Sequence, residues 1–314
     1  MKLSALEGQF PTMQPWKDAL ALMRIPFSVF LMPVFWLALA SIPSGEWHWQ
    51  EAVWVFIVLH FLLFPASNGY NSLIDKDDTP VGGLRKPPQV NMQLQILVLV
   101  FDLLAIGFGF ALNVFFGFFV SVYWLVSRAY SSPQIRLKKY PWVSWLVVAL
   151  FQGGWTVMMV WAGLMGREIP LEEMGLWRWP LIASFFLAGS YPLTQVYQHE
   201  SDSRRGDLTL SRILGIKGTF VFAQIWMVVG AALLVFSMIA ENAIEPLFLV
   251  AAASIPSFLY FFLWTRRVWI DQQQADFDNT MRYNIISSLS LSVGFILWVF
   301  VKVFDVSLHL HPNF

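Results

Sequence analysis

Nine long apolar runs constrain this 314-residue chain more strongly than any other feature of its sequence. Crossing the hydrocarbon core of a bilayer as a helix takes about 20 residues, and each run is close to that length. Hydrophobic side chains make up 57% of the chain and charged side chains 13%, about half of the ~25% that is typical of soluble proteins. The sequence therefore predicts an all-α integral membrane protein, a bundle of about nine transmembrane helices. The runs lie near residues 20–41, 52–74, 94–112, 114–130, 142–164, 180–198, 219–239, 246–265 and 284–303.

The basic residues indicate how such a bundle is oriented. With the amino terminus in the cytoplasm, all but three of the 20 Lys and Arg residues fall on the cytoplasmic side, the exceptions being Arg167, Arg178 and Lys302. This bias follows the positive-inside rule and predicts an odd number of spans with the carboxyl terminus outside. We expect a multi-pass protein of the cytoplasmic (inner) membrane.

The number of spans, the amino-terminal segment and the number of domains can each be predicted from the sequence. Only a short stretch around Asn113 divides the runs at 94–112 and 114–130, so seven or eight spans remain open. Residues 1–19 are polar and interrupted by proline, which is unlike a cleavable signal peptide. Because no linker or low-complexity segment appears, the chain is expected to form one domain over residues 1–314.

Polar residues form two ordered rows at the cytoplasmic ends of the second and sixth runs. Asn68, Asn71 and Asp75 are spaced at i, i+3 and i+7, which places them on one face of a helix. A second row, at i, i+4 and i+8, consists of Thr194, Gln198 and Asp202. Polar groups at membrane depth are costly and usually line a cavity, so the two rows predict a shared polar site.

The composition of these rows indicates the ligand. Carboxylate and amide oxygens suit Mg²⁺, which usually keeps waters and is completed by substrate phosphates. Basic loops follow the rows and the fourth run, and basic groups beside carboxylates suit a metal-bridged polyanion. The alternative is that these charged side chains bind no ligand and are solvated or face lipid headgroups. The basic residues concerned are Arg85, Lys86, Arg128, Arg136, Lys138, Lys139, Arg204, Arg205, Arg212 and Lys217.

Other residue classes point away from further functions. Lys and Arg equal Asp and Glu at 20 each, which gives no reason to expect nucleic acid as a partner. The absence of Cys excludes disulfides, thiolate zinc sites and a cysteine nucleophile. Asp102 stands alone in the third run, where a structural hydrogen bond between helices is at least as well supported as a place in the cavity.

The ordered motifs resemble the UbiA-type intramembrane polyprenyl transferases. Asn71-Ser-Leu-Ile-Asp75-Lys-Asp77 is similar to the first aspartate-rich motif of that superfamily, and Glu200-Ser-Asp202-Ser-Arg204-Arg205-Gly206-Asp207-Leu-Thr209 to the second. Other segments resemble further parts of that superfamily's pattern in the same order: Arg24-Ile-Pro26, Arg85-Lys-Pro87 and Tyr130-Ser-Ser-Pro133-Gln-Ile-Arg136-Leu-Lys138. There are two departures. Thr79 stands at the eighth position after Asn71, and Gln198 where the second motif has its first acid.

The resemblance implies a reaction and a set of site residues. It implies Mg²⁺-dependent transfer of a prenyl group from a polyprenyl diphosphate to a lipophilic acceptor, aromatic or a quinone precursor, with diphosphate release at a site facing the cytoplasm. No obligate protein partner is expected. The implied metal contacts are Asn71, Asp75, Asp77, Asp78, Gln198, Glu200 and Asp202; the diphosphate contacts are Arg136, Lys138 and Arg205; and the cavity wall includes Arg24, Asn68 and Tyr130.

Two other functions remain open on the sequence. Intramembrane Asp and Asn residues also occur in secondary transporters, although here the polar residues concentrate at one end of the helices. An intramembrane terpene cyclase would use the same diphosphate site without an acceptor. The sequence does not identify the acceptor or the length of the prenyl chain.

Overall fold

The structure is a computed structural model that describes residues 13–43, 45, 47–166 and 175–304, with Arg205 described by its backbone alone. Arg167, one of the predicted exceptions to the charge bias, lies outside these residues. The described chain is helical, and its extended pairing is limited to an isolated bridge between Val81 and Leu84. The helices are α1 (Gln14–Ser41), α2 (Trp49–Asp75), α3 (Met92–Leu112), α4 (Val114–Ser131), α5 (Pro141–Met165), α6 (Arg178–Leu193), α7 (His199–Arg205), α8 (Leu210–Ala240), α9 (Ile244–Ile270) and α10 (Phe277–Phe304).

Eight of these described helices, all except α6 and α7, are long and apolar enough to cross a membrane. The predicted all-α membrane fold is confirmed. The sixth predicted run, 180–198, is the exception in length, because α6 has 16 residues. The backbone N and the side-chain Oγ1 of Thr194 both donate to Tyr191 O, at 3.0 and 2.7 Å, which closes the last turn of α6. A short 3₁₀ helix, Val196–Gln198, follows it.

Asn113 separates α3 from α4, which settles the division that the hydropathy left open. Its backbone is extended (φ −165°, ψ 162°), and its side-chain oxygen caps α4 by accepting from Phe116 N at 2.8 Å. The side-chain amide of Asn113 also donates to Ala162 O and Gly163 O, at 3.1 and 3.3 Å. One residue thus ends one helix, begins the next and fixes both against α5.

Asp102 forms an interhelical ion pair, which is the structural one of the two roles that the sequence left open. Arg128 on α4 donates to the Asp102 carboxylate on α3, and the two side chains are only 15% and 10% exposed. The guanidinium carbon of Arg128 also lies 4.0 Å from the centroid of the Tyr70 ring on α2. Three helices therefore meet at one buried charge pair.

Helices α5 and α6 approach closely at glycine. Residues Ala149–Trp155 of α5 form a π-helical turn. A Cβ atom on Gly153 would lie 2.7 Å from the backbone N and Cα of Ser184 on α6, which is closer than packed atoms allow. The Ser184 hydroxyl accepts from the backbone N of Gly154 at 3.0 Å. This contact brings α6, and with it the second polar row, against α5.

Replacing Gly153 with alanine should push α5 and α6 apart. We expect the change to destabilise the protein by about 1–3 kcal/mol, the usual cost of overpacking, measured by denaturant unfolding of the purified protein. Gly107→Ala on α3 is the matched control, because nothing lies within 4 Å of the added methyl group. The control should be neutral or slightly stabilising, and equal unfolding midpoints for the two variants would contradict the close-packing account.

Candidate functional site

The two polar rows line one cavity inside the helix bundle. The cavity has a volume of about 720 Å³ and is bounded mainly by α1, α2, α4, α5, α6, α8, α9 and α10. Asn68, Asn71 and Asp75 line it from the end of α2, and Gln198 and Asp202 from the segment that follows α6. The predicted residues that line the cavity are Arg24, Asn68, Asn71, Asp75, Asp77, Tyr130, Lys138, Gln198 and Asp202.

The first row is fixed by polar contacts with α4 and the loop after it. Ser131 Oγ donates to Asn71 Oδ1 at 2.7 Å, and Lys138 Nζ donates to the same oxygen at 3.2 Å. Lys138 also forms an ion pair with Asp75. The side chains of Lys138 and Asp75 are 14% and 17% exposed, so a cation and a carboxylate face each other with little water between them. Arg136, with φ 48°, sets the turn that places Lys138 there.

The second row is completed by a reversal of the chain. Gly206 has φ 72°, a left-handed conformation that glycine adopts without strain, and it ends α7. Asp207 N then donates back to Asp202 O at 2.9 Å, and Thr209 Oγ1 donates to the Asp202 carboxylate at 3.4 Å. Asp202 is 5% exposed, while Asp207 and Thr209 also line the cavity. Neither Asp207 nor Thr209 was predicted as a site residue, although both lie in the second motif.

Arg24 reaches the site because α1 is kinked at that residue. Arg24 has φ 50° and ends the first α-helical segment, after which residues Ile25–Leu31 form a 3₁₀ helix. Its guanidinium donates to Asn68 O at 3.2 Å and to Gly82 O at 3.5 Å. The side chain is 7% exposed. Arg24 therefore joins α1 to the first row and to the loop that follows it.

Tyr130 belongs to a hydroxyl cluster at the cavity wall. Its hydroxyl oxygen lies 2.6 Å from that of Tyr191 on α6 and 3.0 Å from Ser144 Oγ on α5. Ser144 Oγ is also 2.9 Å from the Tyr191 hydroxyl. The cluster links α4, α5 and α6 beside the polar rows. Tyr191 lines the cavity but had no signal in the sequence, because its polar neighbours come from distant helices.

Burial sets the charge of two side chains next to the second row. Burial lowers the pKa of His199, and the positive charge of Arg212 lowers it further. His199 Nε2 lies 2.7 Å from the hydroxyl of Ser211 at the start of α8. Burial also raises the pKa of the Tyr197 hydroxyl. At neutral pH both groups are uncharged, so the charge of the second row comes from its carboxylate.

Comparison with known proteins agrees with the motifs and the fold. The model of the UbiA prenyltransferase family matches residues 30–286, which is most of the chain. The chain belongs to the UbiA prenyltransferase family. No curated protein matches this sequence.

Solved UbiA homologues share the architecture at low sequence identity. The apo structure of a UbiA homologue from Aeropyrum pernix K1 has a TM-score of 0.67 at 18% identity, over 87% of this chain and 98% of the homologue. A UbiA homologue from Archaeoglobus fulgidus, solved with GPP and Mg²⁺, has a TM-score of 0.63 at 19% identity, over 90% and 99% of the two chains. A structure concerned with digeranylgeranylglyceryl phosphate synthase in membranes has a TM-score of 0.60 at 15% identity, over 93% and 99%.

Some residues implied by the UbiA resemblance lie away from the cavity. The Glu200 side chain is 87% exposed and pairs with Arg204 at 3.6 Å. Asp78 is exposed and does not line the cavity. Arg136 donates to both carboxylate oxygens of Asp207, at 3.2 and 3.3 Å, and so contacts the site through another residue. The side chain of Arg205 lies outside the described residues.

The oxygen donors of the cavity fit Mg²⁺. Within the described part of the chain, no group of three or more His, Asp or Glu side chains is close enough to hold a metal by itself. The cavity instead offers the carboxylates of Asp75, Asp77, Asp202 and Asp207, with the amides of Asn71 and Gln198. Mg²⁺ is usually held by one or two carboxylates and completed by waters and substrate phosphates. A mixed set of this kind therefore suits a metal that arrives with a phosphorylated substrate.

Four strongly exposed apolar side chains of α8 and α9 also line the cavity. Val228 and Val235 of α8 line the cavity and are 65% and 41% exposed. Phe258 and Phe262 of α9 line it as well, and each is 59% exposed. These four apolar side chains give the cavity a hydrophobic side on α8 and α9, which suits a lipophilic molecule.

Proposed function

We propose that this protein transfers a prenyl group from a polyprenyl diphosphate to a lipophilic acceptor, aromatic or a quinone precursor, and releases diphosphate. This proposal rests on one observation: both polar rows line the same cavity as Lys138 and a set of apolar side chains. Membership of the UbiA prenyltransferase family supports it. So do the Archaeoglobus fulgidus homologues solved with GPP or DMAPP and Mg²⁺.

Asn71, Asp75 and Asp202 are the proposed Mg²⁺ contacts, with Asp77 and Gln198 as further oxygen donors. Bound Mg²⁺ would neutralise negative charge on the diphosphate. Glu200 and Asp78 are left out of this proposed set, because they are exposed away from the cavity. Gln198 supplies an amide oxygen but no charge, so the second row contributes fewer negative charges than the family motif.

The basic residues have a separate proposed role at the diphosphate. Lys138 is held in the cavity by Asn71 and Asp75, and its ammonium group stabilises the charge that develops on the leaving diphosphate. Arg136 is the second proposed diphosphate contact, poised by its ion pair with Asp207. Arg205 is the third. Arg24, Asn68 and Tyr130 form the wall that shapes this end of the cavity.

The apolar part of the cavity suits the prenyl chain. Phe151, Phe186, Phe261 and Phe295 line it from four different helices. Burying a hydrocarbon chain among them is favourable by about 0.8 kcal/mol per CH₂. Their ring faces also attract a cation, which helps an allylic cation to persist until the acceptor attacks it. The same packing excludes water, the competing nucleophile.

The charge distribution supports a cytoplasmic site in the inner membrane. The basic residues around the two rows lie on the side that the positive-inside rule assigns to the cytoplasm. Soluble diphosphate would then leave into the cytoplasm, while the lipophilic product returns to the bilayer.

Diphosphate release from purified protein tests this function. With Mg²⁺ and a panel of prenyl diphosphates, we expect release that depends on the metal and falls to background after EDTA treatment. Mass spectrometry of lipids from cells with and without the chain should reveal a prenylated product that is lost on deletion. Release of diphosphate with a cyclised prenyl product and no acceptor adduct would instead indicate a terpene cyclase. No release from any donor would contradict the proposal.

A further inference from the structure

The wall of the cavity formed by α8, α9 and α10 carries a set of neutral polar side chains among its apolar ones, and no charge. Every charged side chain that lines the cavity comes from another part of the described chain, namely Arg24, Asp75, Asp77, Lys138, Asp202 and Asp207. The polar side chains that line the cavity from α8, α9 and α10, apart from Tyr283, are Gln224, Ser254, Ser257, Asn284, Ser287 and Ser288. Polar groups at membrane depth are costly. The neutral polar side chains of this wall therefore need an explanation of their own, apart from the two polar rows.

Asn284 is a residue of this wall whose hydrogen bonding is incomplete. It lines the cavity and is 6% exposed, yet its side-chain nitrogen has no hydrogen-bond partner. The amide torsion is broad and roughly two-fold, so rotation can present either the nitrogen or the oxygen to the cavity. A buried amide without a partner costs free energy, and a ligand that accepts its hydrogen bond recovers that cost.

Two serines of this wall, Ser254 and Ser287, offer acceptors rather than donors. Ser254 Oγ donates to Val250 O at 2.7 Å, and Ser287 Oγ donates to Asn284 O at 3.2 Å. Their hydroxyl protons are therefore engaged within their own helices, while their lone pairs stay available. Beside the unpartnered amide of Asn284, this makes a site that can both give and receive hydrogen bonds without any charge.

The position of Asn284 places the wall inside the bundle. Phe277, the first residue of α10, packs edge-on against Tyr197 beside the second row, with ring centroids 5.2 Å apart. Asn284 is seven residues further along α10, about 10 Å deeper by the rise of an α-helix. A ligand at this wall would lie beyond the acidic end, among the phenylalanines proposed to hold the prenyl chain.

The two basic residues of the cavity are already engaged. Lys138 pairs with Asp75, while Arg24 donates to backbone carbonyls and lies within the attraction of Asp77 and Asp75. A carboxylate at the α8–α10 wall would find no positive partner, and an unpaired buried charge is strongly unfavourable.

We infer that Asn284 and Gln224, with the serines of α9 and α10, form the acceptor site, and that the acceptor is an uncharged molecule with a phenol or alcohol hydroxyl rather than a carboxylate. This inference rests on the proposed prenyl transfer, since it names the molecule that receives the prenyl group. The acceptor hydroxyl donates to a serine or glutamine oxygen, and an oxygen of the acceptor receives the Asn284 N–H.

A matched pair of probes tests this site by binding. Methyl 4-hydroxybenzoate and 4-hydroxybenzoate share a ring, a hydroxyl and a carbonyl, but only the second carries a negative charge at pH 7. We expect the ester to bind the purified protein at least tenfold more tightly than the acid in a thermal-shift titration. Asn284→Leu should raise the Kd of the ester roughly tenfold, the order of one lost hydrogen bond. Ser290→Ala removes a buried hydroxyl from the same helix outside the cavity, and it should leave that Kd unchanged.

The outcomes separate this inference from the proposed function. Equal or tighter binding of the acid, or an Asn284→Leu variant that binds the ester as the wild type does, would overturn the neutral acceptor site. If gel filtration shows that Asn284→Leu is misfolded, Gln224→Leu on α8 is expected to give the same rise in Kd and replaces it. Diphosphate release is measured separately on the wild type. Its absence would contradict prenyl transfer, while the probe titration still decides which chemistry the wall binds.

Discussion

Replacing Asp75 with alanine is expected to lower kcat for diphosphate release by at least ~100-fold, the order seen when one group that stabilises a developing charge is lost. Asp75 lines the cavity and pairs with Lys138, so the change removes a proposed metal contact and releases the lysine that faces the diphosphate. Asp202→Ala should have an effect of similar size from the other row. The measurement is the steady-state rate of Mg²⁺-dependent diphosphate release.

The control for Asp75→Ala is an acid that does not line the cavity. Asp18→Ala on α1 removes a carboxylate that accepts a hydrogen bond from Gln14 on the same helix, and it should keep the wild-type rate. A purified Asp75→Ala protein that unfolds like the wild type and releases diphosphate at the same rate would contradict the proposed role. Parallel losses of rate in Asp75→Ala and Asp18→Ala would indicate a general effect of charge instead.

Replacing Asp102 should lower the free energy of unfolding more than Gly153→Ala does. Asp102→Ala leaves the Arg128 guanidinium without its carboxylate in a site where the side chain is only 15% exposed. Breaking a buried ion pair from one side costs about 3–5 kcal/mol, because an uncompensated charge stays buried. The Tyr70 ring, 4.0 Å from the guanidinium carbon, offsets part of this cost. Denaturant unfolding of the purified variant measures the loss.

A double replacement distinguishes this charge effect from a packing effect. Asp102→Leu combined with Arg128→Met removes both charges and keeps apolar volume between α3 and α4. Replacing a buried pair in this way is often neutral, so we expect most of the lost stability to return. A double variant as unstable as Asp102→Ala would show that the contact between the helices, rather than the unpaired charge, dominates.

The sequence predicted the parts of the site that follow from regular geometry. Apolar run length located the helices, and residue spacing placed Asn68, Asn71 and Asp75 on one face of α2, where they line the cavity. The division at Asn113 could not be decided from hydropathy, because it depends on one side chain that caps α4 and also bonds to α5.

The remaining site residues depend on irregular backbone that periodicity does not describe. Asp207 reaches the cavity because Gly206 turns the chain back, and Arg24 because its own left-handed conformation kinks α1. Glu200, which the UbiA resemblance implied as a metal contact, is exposed on the short helix α7. Tyr191 was missed because its hydroxyl partners come from α4 and α5, and Asn284 because its place in the cavity wall depends on how α10 packs in the bundle.

Anomalous diffraction from a crystal grown with Mn²⁺ and geranyl S-thiolodiphosphate, a donor analogue that does not react, tests the central claim most directly. Mn²⁺ takes the same oxygen ligands as Mg²⁺ and gives a signal that identifies it. The account predicts an anomalous peak in the cavity, between the Asn71 and Asp75 end of α2 and the Asp202 carboxylate, with the analogue's phosphates beside Lys138. A peak at the exposed Glu200, or an analogue bound outside the cavity without metal, would contradict it.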